Sequence, residues 1–139
     1  MLRVYVAGPM RGYPQSNFPM FDACRDQLIR MGWDPVSPAD MDRKRDGFDP
    51  TKPGFDLAAV ETFDLRRALK RDFIAIMEAD GIVFLPGWEG SSGANVERTL
   101  GAALDLRAWL YLPAERVKIR RTAWQVLEDA REEWRRQNG

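Results

Sequence analysis

The sequence predicts an α/β protein built on a parallel sheet with helices on both faces. Three observations carry this expectation. Short apolar runs recur at 2–7, 81–86 and 108–113, helix-length amphipathic stretches lie between them, and Gly or Pro marks their ends. Parallel neighbours need crossover connections, which an alternation of strands and helices supplies. At 139 residues the chain suffices for one domain with a real core, so a single domain over 1–139 is expected.

The elements follow in order. LRVYVA, 2–7, is a buried strand stopped by Gly8 and Pro9. From about Pro19 to Met31, Phe21, Cys24, Leu28 and Met31 recur at helical spacing, with Pro19 in the first turn and Gly32 just past the end. WDPVS, 33–37, is a second strand that Pro35 pushes toward a sheet edge. Residues 38–56 are rich in Pro, Asp, Lys, Arg and Gly and lack apolar periodicity, so they read as a long loop, either a functional lid or disordered. ETFDLRRALKRDFIAIMEAD, 61–80, has a strong helix pattern, and GIVFLP, 81–86, is a third strand. GWEGSSGANVERTLGAAL opens a helix running to about Arg107, and AWLYLP, 108–113, is a fourth strand. From about Thr122 to Arg136, Ala123, Trp124, Leu127, Ala130 and Trp134 share one side of an amphipathic helix.

Composition excludes several classes of function. Lys plus Arg equals Asp plus Glu at 21 each, so no excess of positive charge points to nucleic acid as a partner. No segment approaches the roughly 20 apolar residues of a membrane span, and the N-terminus runs into a strand rather than a secretory signal, so a cytoplasmic protein without a membrane partner is expected. The chain has no His and one cysteine, Cys24. It therefore cannot build a Ser-His-Asp or Cys-His site, the usual zinc cluster or an internal disulfide. No metal or cofactor is expected, and acid–base chemistry falls to carboxylates, tyrosines or lysines.

In open parallel sheets ligands settle at the carboxyl ends of the strands, where the connection direction reverses. That directs attention to the loops after Ala7 and Leu85. In PGWEGSSGA, Ser91 or Ser92 is placed to cap a helix; the loop is then either an anion site made by free N–H groups and the helix dipole, or simply a well-capped helix. Glu97 lies one turn after Gly93 and one before Gly101, beside an apolar face of Val96, Leu100, Ala103 and Leu104. It is either a solvated helix glutamate or a carboxylate at the crevice. Asp72 falls inside the apolar stripe of Leu65, Ala68, Leu69, Phe73 and Ile76, whereas Asp64, Arg66, Arg67, Lys70 and Arg71 occupy the solvated side. Burying a lone carboxylate costs several kcal/mol. Asp72 is thus either satisfied by backbone N–H groups or Tyr5, or is a second carboxylate facing the crevice. Tyr5 is core packing or a hydroxyl reaching the same place, and Arg11, in GPMRG, is solvated or meets an anion. Asp80 belongs to the turn before the third strand, and Trp124 and Trp134 serve packing or subunit contacts.

Three pieces then coincide in order: VYVAGPMRG, RDFIAIMEADGIVFLPGWE and SSGANVE. Together they resemble the nucleoside 2-deoxyribosyltransferase superfamily, in particular a small uncharacterised branch, and more distantly the 2'-deoxynucleoside 5'-phosphate N-hydrolases. The likeness spans most of residues 2–112. It implies a flavodoxin-like three-layer α/β/α sandwich with a parallel sheet of four or five strands, and cleavage of an N-glycosidic bond with retention. By the same resemblance, Glu97 attacks the anomeric carbon, Asp72 orients or protonates the substrate and Tyr5 supports the nucleophile. Ser91 and Gly93, with Ser92 and Gly8 beside them, hold a 5'-phosphate with help from Arg11. The implied partner is a small-molecule nucleotide or nucleoside, with the protein acting as a homodimer or higher homo-oligomer. Water as acceptor gives hydrolysis, another nucleobase gives transfer, and neither needs histidine or metal. Pro9 departs from the pattern, standing where the nucleotide hydrolases carry a small hydroxyl residue. A non-catalytic module that senses or sequesters a nucleotide in the same crevice is the rival expectation.

Overall fold

The computed structural model describes residues 1–47 and 64–139. Five strands form one sheet: β1 (Arg3–Ala7), β2 (Asp34–Val36), β3 (Gly81–Phe84), β4 (Arg107–Tyr111) and β5 (Ile119–Thr122). Their order is β2-β1-β3-β4-β5, with β1 to β4 parallel and β5 antiparallel to β4. This is the flavodoxin-like order with a reversed last strand. The sheet is therefore mostly, not wholly, parallel, because a hairpin rather than a helix joins β4 to β5. Leu112 donates its N–H to the carbonyl of Lys118 at 2.7 Å across that hairpin.

Among the described residues there are five α-helices: α1 (Phe18–Arg30), α2 (Pro38–Asp46), α3 (Leu65–Met77), α4 (Ser92–Ala103) and α5 (Trp124–Asn138). Side chains alternate across a strand. Val4 and Val6 of β1 thus face the α1 layer, with Phe21, Cys24 and Leu28, whereas Tyr5 and Ala7 face the layer of α3, α4 and α5, with Ile76, Ala94 and Leu127. The alternation puts the only polar group of β1's buried residues, the Tyr5 hydroxyl, among α3 and α4. Gly101 lets α4 approach closely: a Cβ there would lie 2.6 Å from the Trp124 ring and 2.7 Å from Ile82. No helix among the described residues is long and apolar enough to cross a membrane.

Several expectations change. The loop predicted over 38–56 contains α2 at Pro38–Asp46; the remainder from 48 onward, and residues 61–63 of the predicted helix, lie outside the described residues. α2 has little apolar periodicity but strong end signals: Pro38 in its first turn, Asp40 near its start, basic residues in its last turn and Gly47 at φ 65° after it. Ionic contacts hold it to α1, where Arg43 binds Asp22 at 2.8 and 2.6 Å while Arg25 reaches Asp40 at 2.5 Å. β5 escapes the apolar-run criterion because Ile119 is its only buried residue. Its Arg120 and Arg121 are exposed, which suits an edge strand kept from pairing with other chains.

Candidate functional site

β1 leads to β2 on one side, while β3 lies on its other side, so the chain reverses direction between β1 and β3. At the carboxyl ends of these two strands a cleft of about 620 Å³ opens. Tyr5, Asp42, Asp72, Ser91, Gly93 and Glu97 all line it.

The α4 end of the cleft is built by its cap. Ser91 occupies the N-cap position, and its Oγ accepts from the Ala94 amide at 3.1 Å. Ser91, not Ser92, is thus the capping residue. The first-turn amides of Ser92 and Gly93 have no carbonyl one turn behind them, and a Cβ on Gly93 would meet no atom within 4 Å. The short 3-10 turn Trp88–Gly90 before the cap is held by Asn95, whose amide donates to the carbonyls of Trp88, Glu89 and Ser91 at 3.2, 3.1 and 2.8 Å. Arg131 of α5 also donates to the Glu89 carbonyl. Arg11 lines the cleft, exposed and without an ion pair among the described residues. Gly8 lines it too, but its lack of a side chain answers to packing, since a Cβ there would sit 2.7 Å from Leu85.

Two turns of α4 into the chain, Glu97 is buried, with 7% of its surface exposed, and the Tyr5 hydroxyl donates to its Oε2 at 2.5 Å. Of the neighbouring apolar face expected from sequence, Leu100 packs against the core but Val96, Ala103 and Leu104 are exposed, and Ala94, Asn95, Glu97 and Gly101 form the buried stripe. Burial pushes the Glu97 carboxyl up to about 8; the Tyr5 hydrogen bond opposes that rise and the Asp72 charge adds to it. The Tyr5 phenol is itself held well above its ordinary value, first by burial and then by the charges of Glu97 and Asp72.

Asp72 is buried on α3, as its place in the stripe indicated, but Leu65 of that stripe is exposed. Its partner is neither a backbone amide nor Tyr5 in the first place. Arg71 donates to Asp72 Oδ1 through Nε at 3.1 Å and Nη2 at 2.8 Å. The same Nη2 reaches Asp42 Oδ1 at 2.8 Å. Arg71 is therefore not a solvated residue of the outer face; it is turned back along α3 to neutralise buried carboxylates. Burial raises Asp72, against the pull of Arg71 and of the Tyr5 hydroxyl. Asp42, 3% exposed, is pushed up to about 6 by burial, with Arg71 lowering it and the charges of Asp72 and Asp46 raising it.

The fold thus brings Tyr5, Asp72, Glu97, Ser91, Ser92, Gly93, Gly8 and Arg11 to one cleft. Asp42, Arg71, Asn95 and Trp134 were missed as site residues. Asp42 and Asn95 had a readable signal: Pro38 in the first turn and Gly47 after the end for the helix of Asp42, and an Asn one turn after a capping Ser. Trp134 packs against Gly90, where a Cβ would lie 2.8 Å from its ring, and also lines the cleft. Trp124 does pack, donating its indole N–H to the Leu106 carbonyl at 2.7 Å. Asp80 caps the start of the sheet, accepting from the Arg3 amide at 2.9 Å. Beside the cleft, Gln15, Ser16 and Asn17 take successive left-handed conformations with φ of 55°, 52° and 62°, and Asn17 donates to the Pro9 carbonyl at 2.9 Å. Runs of this kind concentrate at functional sites.

Residues 2–108 match the family described as Domain of unknown function (DUF4406). The chain belongs to the DUF4406 family. No curated protein matches it significantly. The match in this DUF4406 chain takes in Tyr5, Asp42, Arg71, Asp72, Ser91 and Glu97, whereas β5 and α5, with Trp134, lie beyond it. Among the described residues no group of three or more His, Cys, Asp or Glu side chains is arranged to hold a metal ion.

Proposed function

We propose that this DUF4406 protein cleaves or transfers the N-glycosidic bond of a nucleotide or nucleoside through a covalent glycosyl-enzyme intermediate on Glu97, as its resemblance to the nucleoside 2-deoxyribosyltransferases implies. The observation that carries the reading is the buried Tyr5–Glu97 contact of 2.5 Å, two turns from an open helix N-terminus and in the same cleft as Asp72. Tyr5 occupies Oε2, leaving Oε1 to attack the anomeric carbon. As the Oε1–C1' bond forms, the C1'–N bond breaks, and its electron pair leaves with the base, which takes up a proton from solvent water. Water or a second base then displaces Glu97 from C1'. Ser92 and Gly93 amides, with Arg11, suit a phosphate at the other end of the substrate. Assembly of two or more copies belongs to the same reading, supported by exposed Ile74 and Met77 on α3 and Val96 and Leu104 on α4.

Incubation with a panel of deoxynucleoside monophosphates and nucleosides should release free base. Glu97→Gln and Glu97→Ala should stop it, with the glycosyl adduct trapped on the wild type by rapid quench and mass spectrometry. Undiminished turnover by either variant would refute the assignment.

One observation favours a second reading, a nucleotide-sequestering module without turnover: a Glu97 carboxyl pushed up to about 8 is protonated at neutral pH in the free protein and is then no nucleophile. Calorimetric binding without base release at any pH from 6 to 9 would decide for it.

A further inference from the structure

The Asp42–Arg71–Asp72 arrangement is not used by the mechanism just described, yet it is the most heavily bonded polar feature of the cleft wall. Asp42 and Asp72 come from α2 and α3 and line the cleft, whereas Arg71 does not; it lines a neighbouring recess with Arg45, Asp46 and Asp64, and Asp42 lines both. The substrate side of the wall is therefore carboxylate, and the guanidinium is its backing. Both Arg71 bonds to Asp72 fall on Oδ1, as does its bond to Asp42, so Arg71 binds neither Oδ2. A carboxylate fixed by a planar guanidinium through one oxygen keeps acceptor capacity on the other. The anion-suited amides of Ser92 and Gly93 and the cation Arg11 are on different elements, so a phosphate drawn to them leaves the α2–α3 wall to the uncharged end of the substrate.

We propose that Arg71, anchored by Asp42, is a positioning residue that holds Asp72 as a hydrogen-bond acceptor toward the leaving group, so that the preferred substrates are nucleotides whose base carries an exocyclic amino group. This inference rests on the reading of the cleft as a nucleotide site. An amino group donates to the waiting carboxylate oxygen; a carbonyl oxygen in its place sets two acceptors against each other in a buried setting, where unmet polar groups are costly.

Two near-isosteric pairs test this: dCMP against dUMP, and dAMP against dIMP, each exchanging an exocyclic amino donor for an oxo acceptor and, at the adjacent ring nitrogen, an acceptor for an N–H donor. Binding by calorimetry and kcat/KM are measured for the wild type, Arg71→Met, Arg71→Lys and Asp42→Asn, with thermal unfolding as the control for folding. The wild type should favour the amino member of each pair by about 10- to 100-fold, the effect of one hydrogen bond to a charged group. Arg71→Met should bring that ratio toward one, chiefly through KM, Arg71→Lys should restore part of it, and Asp42→Asn should lower it. Loss of stability with an unchanged ratio would assign Arg71 a structural role only and overturn the proposal. Equal or better handling of dUMP and dIMP by the wild type also overturns it while leaving the cleft a nucleotide site. Failure of all four nucleotides to bind removes that underlying reading, and the inference with it.

Discussion

Replacing Glu97 by Gln should stabilise the protein at alkaline pH, and the size of the gain follows from where the carboxylate lies. The folded protein holds the Glu97 proton up to about 8, against an ordinary value of 4.5, because burial penalises the charge. Below the ordinary value both states are protonated and nothing is lost. As pH rises between the two values the unfolded chain gives up its proton while the folded chain keeps it, so stability falls, and above about 8 the full penalty is in force. The span corresponds to about 5 kcal/mol as a ceiling, and relaxation with water entry brings the measured effect nearer 3 kcal/mol. Gln keeps an acceptor for the Tyr5 hydroxyl and carries no charge. Asp42 and Asp72 are also raised and make both proteins lose stability with rising pH, so the informative quantity is the difference between wild type and variant. Urea unfolding from pH 5 to 9 should show that difference growing with pH to roughly 3 kcal/mol in favour of Glu97→Gln, with a gain of roughly 10 °C in Tm at pH 9. Parallel curves for the two proteins across this range would show that Glu97 ionises as a surface residue does, and the argument from burial would fail.

Tyr5→Phe removes the hydrogen bond that opposes the rise of Glu97, so the ascending limb of the activity profile should move to higher pH, with about 1 to 2 kcal/mol lost in unfolding experiments from the missing buried bond. An unmoved limb would separate Tyr5 from the nucleophile. Gly93→Ala introduces a Cβ into open space, so Tm should hold or rise slightly through better helix propensity, while KM for a nucleoside monophosphate increases and that for the matching nucleoside does not. Equal effects on both substrates would take the phosphate away from the α4 N-terminus.

The parts of the fold legible in the sequence are those whose information is local. The Asp72 position within an apolar stripe announced a buried carboxylate, because it follows from helix period alone, whereas VYVA is buried on both faces and left Tyr5 open between core packing and the crevice. Where a distant element supplies the environment, local pattern misleads. Glu97 and Gly101, not Val96 and Leu104, face inward on α4 because the Trp124 ring from α5 fills the space over Gly101. Arg71 looked solvated because its partner Asp42 is on α2, a helix whose stability comes from end signals and ion pairs with α1 rather than from apolar periodicity. β5 was hidden for the same reason, since a strand with one buried residue has no apolar run to detect.

The protonation state of the cleft also joins its two halves. Of three buried carboxylates, Asp42, Asp72 and Glu97, the first two bind one half-buried guanidinium, Arg71, and a largely dry site does not sustain an excess of two negative charges at low cost. Arg71 is committed to the aspartates, whereas Glu97, raised by burial, is bonded by the Tyr5 hydroxyl alone among the hydrogen bonds of the described residues. On the glycosyl-transfer reading, a sugar that gains positive charge as its base departs supplies the missing countercharge beside Glu97. Ionisation of the nucleophile and cleavage of the bond then favour each other. Such a site is most stable on the acid side of its range and most reactive on the alkaline side, so stability and turnover measured on one protein should run in opposite directions between pH 6 and 8.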